Sequence, residues 1–183
     1  MQPSSFNEVE RINDVYSQLH KQLIKVWFGE MLFTWRFWLG LGLLVLPWIF
    51  WTFARKKEST QRLLYAGFVV SLISTYLDNI GMAMGLWSYP SKVIPLVPPF
   101  LPWDVSLIPV MIMLTLQYKP KGNPFVKAVI LSAVGSFIIQ PLSEWLGLYY
   151  HKRWEHYYSF PFGIVLYLVA YYVFSRKTYN EIH

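Results

Sequence analysis

Between Trp35 and Phe174 the chain is dominated by apolar runs that a water-soluble domain of 183 residues has no means of covering. The runs extend from Trp35 to Ala54, Leu63 to Trp87, Trp103 to Tyr118, Phe125 to Tyr150 and Tyr157 to Phe174. A helix needs about 20 mostly apolar residues to cross a bilayer, so the third run is short and the others suffice. Hydrophobic residues make up 55% of the chain and charged ones 14%, which leaves a soluble fold with more apolar surface than water tolerates. The pattern predicts an all-α polytopic membrane helix bundle of about five transmembrane helices. It divides the chain into an amphipathic N-terminal helix over 1–34, one transmembrane domain over 35–177 and a short tail over 178–183.

In the N-terminal segment, Ser5 and Glu8 have the spacing of a capping box. Ile12, Val15, Tyr16, Leu19, Leu23, Val26 and Trp27 recur at helical spacing, as in a helix lying in the membrane interface or against a partner. No apolar core precedes a small-residue cleavage site in the first thirty residues, so no removable signal peptide is expected. Pro90, Pro95, Pro98, Pro99 and Pro102 favour extended and turn backbone, which predicts a stiff loop at the membrane surface over 90–102.

The basic residues indicate orientation. Arg55, Lys56, Lys57 and Arg62 follow the first run, Lys119, Lys121 and Lys127 the third, and Arg176 and Lys177 the fifth. The alternate loops hold only Lys92, Lys152 and Arg153, so the heavier set is expected in the cytoplasm, with the N-terminus outside the cell membrane and the C-terminus inside. These clusters flank apolar runs and act as topology determinants, so the formal charge of +6 does not point to nucleic acid. Cysteine is absent, which excludes disulfides, thiolate metal sites and cysteine nucleophiles.

Two runs carry polar stripes. On the second, Ser71, Ser74, Thr75, Asp78, Gly81 and Gly85 recur at offsets of three and four, with Asn79 beside Asp78. On the fourth, Ser132, Gly135, Ser136, Gln140, Ser143, Glu144, Gly147 and His151 do the same. Small residues let membrane helices approach closely, so Gly81, Gly85, Gly135 and Gly147 are expected at helix contacts. Packing alone does not require carboxylates in both stripes, and ionisable groups in hydrocarbon ordinarily face a protein interior or a wet pathway. Asp78 and Glu144 are therefore expected to share one site, with Asn79, Gln140 and Asp104 as further candidates for binding a proton or ligand.

Trp87, Tyr89, His151 and His156 are expected at the rim of this pocket. Taken singly, Asp104 reads first as a wet interfacial residue or helix cap, and the two histidines as solvated loop residues. Pro141 should kink the fourth helix next to the site. Asp78, Asp104, Glu144, His151 and His156 offer oxygen and imidazole ligands, but no compact ligand motif links them, so neither a metal nor another cofactor is expected. Phosphate-loop, nucleophile-elbow and zincin motifs are missing.

The stretch DNIGMAMGLWSYP, the prolines after it and PWDVSLIPVMIMLTLQY resemble a family of small multipass membrane proteins of spore-forming Firmicutes. That resemblance runs from Leu63 onward and implies no activity. Asp78, Gly85, Trp87 and Tyr89 are also similar to a helix end of the small membrane lycopene cyclases, which implies carboxylate chemistry on an isoprenoid. The acidic motif of those cyclases is not reproduced, since Leu142, Ser143 and Glu144 follow Pro141. Three functions remain open. One is binding or transport of a small ligand, cation or proton, and another is cofactor-independent catalysis on a lipid or isoprenoid. The third is a structural role beside a membrane protein partner or a second copy.

Overall fold

The computed structural model describes residues 3–176 and is mostly helical. Lys177 and the tail over 178–183 lie outside the described residues. Four helices are long and apolar enough to cross a membrane, Trp35–Ala54, Lys57–Ala83, Pro124–Trp145 and His156–Ser175, with a shorter one over Pro102–Gln117. In chain order we number α1 (Pro3–Val26), α2 (Trp35–Ala54), α3 (Thr60–Ala83), α4 (Ile108–Gln117), α5 (Pro124–Val134), α6 (Gln140–Trp145) and α7 (His156–Ser175).

Wider π turns precede α4, over Pro102–Leu107, and join α5 to α6, over Gly135–Ile139. Both adjoin prolines that cannot donate to the carbonyl four residues back. Pro109 frees the Val105 carbonyl, and the Trp48 indole N–H occupies it at 2.9 Å. The break expected at Pro141 takes the form of the second π turn.

α3 is central, packing on α4 and α7, while α5 packs on the far side of α7 and α2 on the π turn before α4. A core of Trp51, Leu63, Ala66, Val70, Met113, Leu116, Ala128, Tyr167 and Ala170 fills the space between them. Of the glycines expected at close contacts, Gly81 is one, its Cβ position being taken by Trp87, and three others join it: a Cβ at Gly67 would press on Met113, one at Gly163 on Ser132 and one at Gly40 on Val93. At Gly135 a Cβ would meet nothing, so that residue is not a packing contact.

The bundle has two unlike ends. At one, Gln117 donates to the Ala54 carbonyl at 3.0 Å and accepts from the Lys56 N–H at 3.1 Å, while Arg62 donates to the Arg176 carbonyl at 2.9 Å. This end carries the heavier basic set. The other end is a cap in which α3 and α6 finish in the same way. Gly85 and Gly147 take φ of +67° and +70°, and the next N–H in each case reaches back to Gly81 or Ser143 at 2.9 Å. Both glycines are therefore helix stops, and of the two only Gly147 is also a close contact, with Arg36 of α2. After them β1 (Trp87–Ser88) and β2 (Tyr150–His151) pair antiparallel, with Trp87 opposite His151.

α1 begins at Pro3, which puts Ser5 inside the first turn rather than at its cap. Its principal contact is the π turn Trp27–Met31, and Phe6, Val9, Ile12, Tyr16 and Leu19 remain exposed.

Candidate functional site

The proline-rich segment is not a surface loop. Pro95, Pro99, Phe100 and Pro102 are buried, and Ser74 donates to the Asp104 carboxylate at 3.0 Å and to its carbonyl at 3.2 Å. Ser74 lies nine residues before the end of α3, so the segment descends about 13 Å along that helix before α4 begins. This descent accounts for the short third helix. Irregular backbone buried among helices must have its polar groups satisfied by protein, and each proline removes one N–H that would need an acceptor. After Pro98 and Pro99, the first remaining donor is the Phe100 N–H, and it meets the Asp78 carboxylate at 3.2 Å. The Lys92 ammonium, itself buried, donates to the carbonyls of Val97 at 3.2 Å and Pro98 at 2.7 Å. The Trp27 indole fixes the Lys92 carbonyl at 2.8 Å.

Asp78 is therefore a well-supplied acceptor. Besides Phe100, the Trp87 indole N–H and the Tyr89 hydroxyl donate to the same carboxylate oxygen, each at 2.6 Å. These two aromatics, expected at a pocket rim, are its direct partners. Burial, reinforced by the nearby Asp78 charge, pushes the Tyr89 phenol well above its usual range, so it stays a donor. Burial pulls the Lys92 ammonium down, and the attraction of Asp78 works against that.

Asp104 also interacts with Asp78. It is 3% exposed and lies within the π turn Pro102–Leu107, so it is neither a wet interfacial group nor a helix cap, and its Oδ2 has no hydrogen-bond partner among the described residues. Gly81 admits the Trp87 ring against α3, where any Cβ would collide with it.

Glu144 has other partners, which corrects the expected Asp78–Glu144 pair. α7 lies between α3 and α5–α6, so the two polar stripes do not enclose one interior. Gln140 instead donates to Ser159 of α7 at 3.0 Å, and Ser132 donates to the Phe160 carbonyl. At the cap, Glu144 meets His151 Nδ1 at 2.5 Å through one oxygen and His156 Nε2 at 3.0 Å through the other. The histidines are thus half-buried members of a cluster rather than free loop residues. One ligand atom from each of Glu144, His151 and His156 lies within 4.8 Å of the others, a convergence that the sequence spacing did not reveal.

Tyr149 stands between the two clusters, with its ring 5.8 Å from Tyr89 and 6.1 Å from His156. Burial, with Glu144 and Asp78 both nearby, pushes its phenol up. Its hydroxyl has no hydrogen-bond partner among the described residues.

Asn79 does not join Asp78. It lies with Ser71 and Thr75 on the wall of a lateral cleft of about 850 Å³, whose other walls include Trp48, Phe68, Pro98, Pro99 and Leu101. The back of the descending loop is thus one side of this cleft. Comparisons with family models, curated proteins and solved structures returned no match to the chain.

Proposed function

We propose that this is a multipass membrane protein that binds, and by binding conducts, a proton or small cation at the Asp78–Asp104 carboxyl pair. In this reading α2, α3, the segment 102–117, α5–α6 and α7 make five crossings and the basic end faces the cytoplasm. The cap then faces outward, and the N-terminal helix lies in the interface. The observation that carries the reading is the buried Asp104 Oδ2, which has no hydrogen-bond partner among the described residues and belongs to a carboxyl that interacts with Asp78. Two adjacent carboxyls in a low-dielectric site favour sharing a proton or a cation over both ionising alone. Buried non-helical backbone beside intramembrane acids is also a feature of ion and substrate pathways.

The test uses the full chain in vesicles containing a pH-sensitive dye, with infrared spectra recorded across a pH series. Wild type should show a titrating carboxylic C=O band and proton or monovalent-cation flux, and Asp104→Asn should lose both while remaining folded. Equal flux from Asp104→Asn and wild type would sink conduction, and an unchanged C=O band would sink binding at the pair.

A second reading has its own observation. The lateral cleft joins an apolar wall to Ser71, Thr75 and Asn79, which suits the chain and headgroup linkage of a lipid. It keeps open catalysis on a lipid or isoprenoid, as the likeness to lycopene cyclases implied. Lipid retained through purification and displaced by Asn79→Leu would favour it.

A further inference from the structure

We propose that Glu144, His151 and His156 form a binding site for one divalent cation of the zinc class, with water as a fourth ligand. This departs from the sequence-based expectation of no metal and is independent of the Asp78–Asp104 pair.

Three observations support the site. Its donors are two imidazole nitrogens and a carboxylate oxygen, a set that suits Zn²⁺ and neighbouring borderline ions and that occurs in sites with an open coordination position. The donors also come from three separately fixed elements. Glu144 is in the last turn of α6, held by the Gly147 stop, His151 is in β2 opposite Trp87, and His156 is the first residue of α7. Finally, the distances leave room for an ion. Ligand atoms around tetrahedral zinc lie about 3.4 Å apart when metal–ligand bonds are about 2.1 Å. The Glu144 contacts of 2.5 Å and 3.0 Å would therefore open by less than about 1 Å, and the widest pair of donor atoms, which lie within 4.8 Å of one another, would close by at most about 1.4 Å.

One carboxylate already gathers both imidazoles, each on its own oxygen. The side chains are 37%, 26% and 21% exposed for His151, Glu144 and His156, so solvent reaches the cluster and can supply the fourth ligand.

The experiment uses the full chain in detergent, without a polyhistidine tag and stripped by a chelator, titrated with Co²⁺ as a spectroscopic substitute. The expected result is a visible d–d absorption that saturates at one ion per chain, is displaced by Zn²⁺ and is lost in Glu144→Gln and in His156→Ala. Zn²⁺ should also raise the unfolding midpoint of wild type and leave that of Glu144→Gln unmoved, which separates lost binding from lost folding. His20→Ala should bind as wild type does. The proposal is overturned if wild type gives no saturating spectrum, if Glu144→Gln retains it, or if His20→Ala removes it.

Discussion

Asp78 and Glu144 sit near the same end of two helices that stop with the same glycine turn, yet their surroundings are opposite. Asp78 is buried and receives donors from Trp87, Tyr89 and Phe100, all in or beside the descending loop. Glu144 is half-buried and bonded to two groups that are themselves able to exchange protons and bind metals. The difference is one of surroundings: Asp78 holds the descending loop against α3 inside the bundle, and Glu144 gathers two imidazoles at its rim.

The comparison can be broken most directly at Asp78. Asp78→Ala leaves three donors without an acceptor and should lower stability by about 3 kcal/mol or more, measured by unfolding in detergent. Asp78→Asn keeps one acceptor oxygen and should lose less. If Asp78→Ala unfolds no more readily than Glu144→Ala, the two sites do not differ as described.

The rim depends on its turn. Gly147→Ala should cost about 1–2 kcal/mol through the left-handed backbone alone, and more than Gly85→Ala, because its Cβ would also press on the Arg36 guanidinium. Equal losses at the two glycines would remove that asymmetry.

Alkaline pH separates the interior from the rim. The Tyr89 and Tyr149 phenols are raised in the folded protein, so above the ordinary value of 10.0 the native state keeps protons that the unfolded state has released. Their contribution is present below pH 10 and is lost as pH rises beyond it, by up to about 1.4 kcal/mol per pH unit for each phenol. Lys92 is shifted down and acts with the opposite sign, adding stability as pH rises towards 10.5. Tyr89→Phe should flatten the decline above about pH 10.5, read as the unfolding midpoint across that range.

The smallest effect belongs to Glu144→Gln without metal. Its partly exposed pairs are screened, and the loss should stay below about 1 kcal/mol in the same unfolding assay. A larger value would place Glu144 with Asp78 as a structural acceptor.

The helices were largely legible in the sequence because apolar length is a local property. The expected span Trp35 to Ala54 is the observed α2, and the other helix boundaries shift by at most a few residues, apart from the early stops at Ala83 and Trp145. Both stops had a readable signal, since Met84-Gly85-Leu86-Trp87 and Leu146-Gly147-Leu148-Tyr149 are parallel glycine caps. Asp104 beside Asp78 was harder to foresee. Asp104 opens a helix in the sequence, and only the descent of the preceding prolines sets it level with Ser74. The Asp78–Glu144 pairing failed because two polar stripes do not reveal which helix stands between them, and here it is α7.

The descending loop also constrains the order in which the molecule is assembled. In the membrane reading proposed above, a stretch with so many prolines cannot enter a bilayer as an independent helix, so it partitions only against protein already present. The side chains from outside the loop that hold it and its π turn by hydrogen bonds, Trp27, Trp48, Ser74 and Asp78, all precede it in the chain. The deepest irregular part of the protein can therefore dock as it leaves the ribosome, without waiting for α5, α6 or α7.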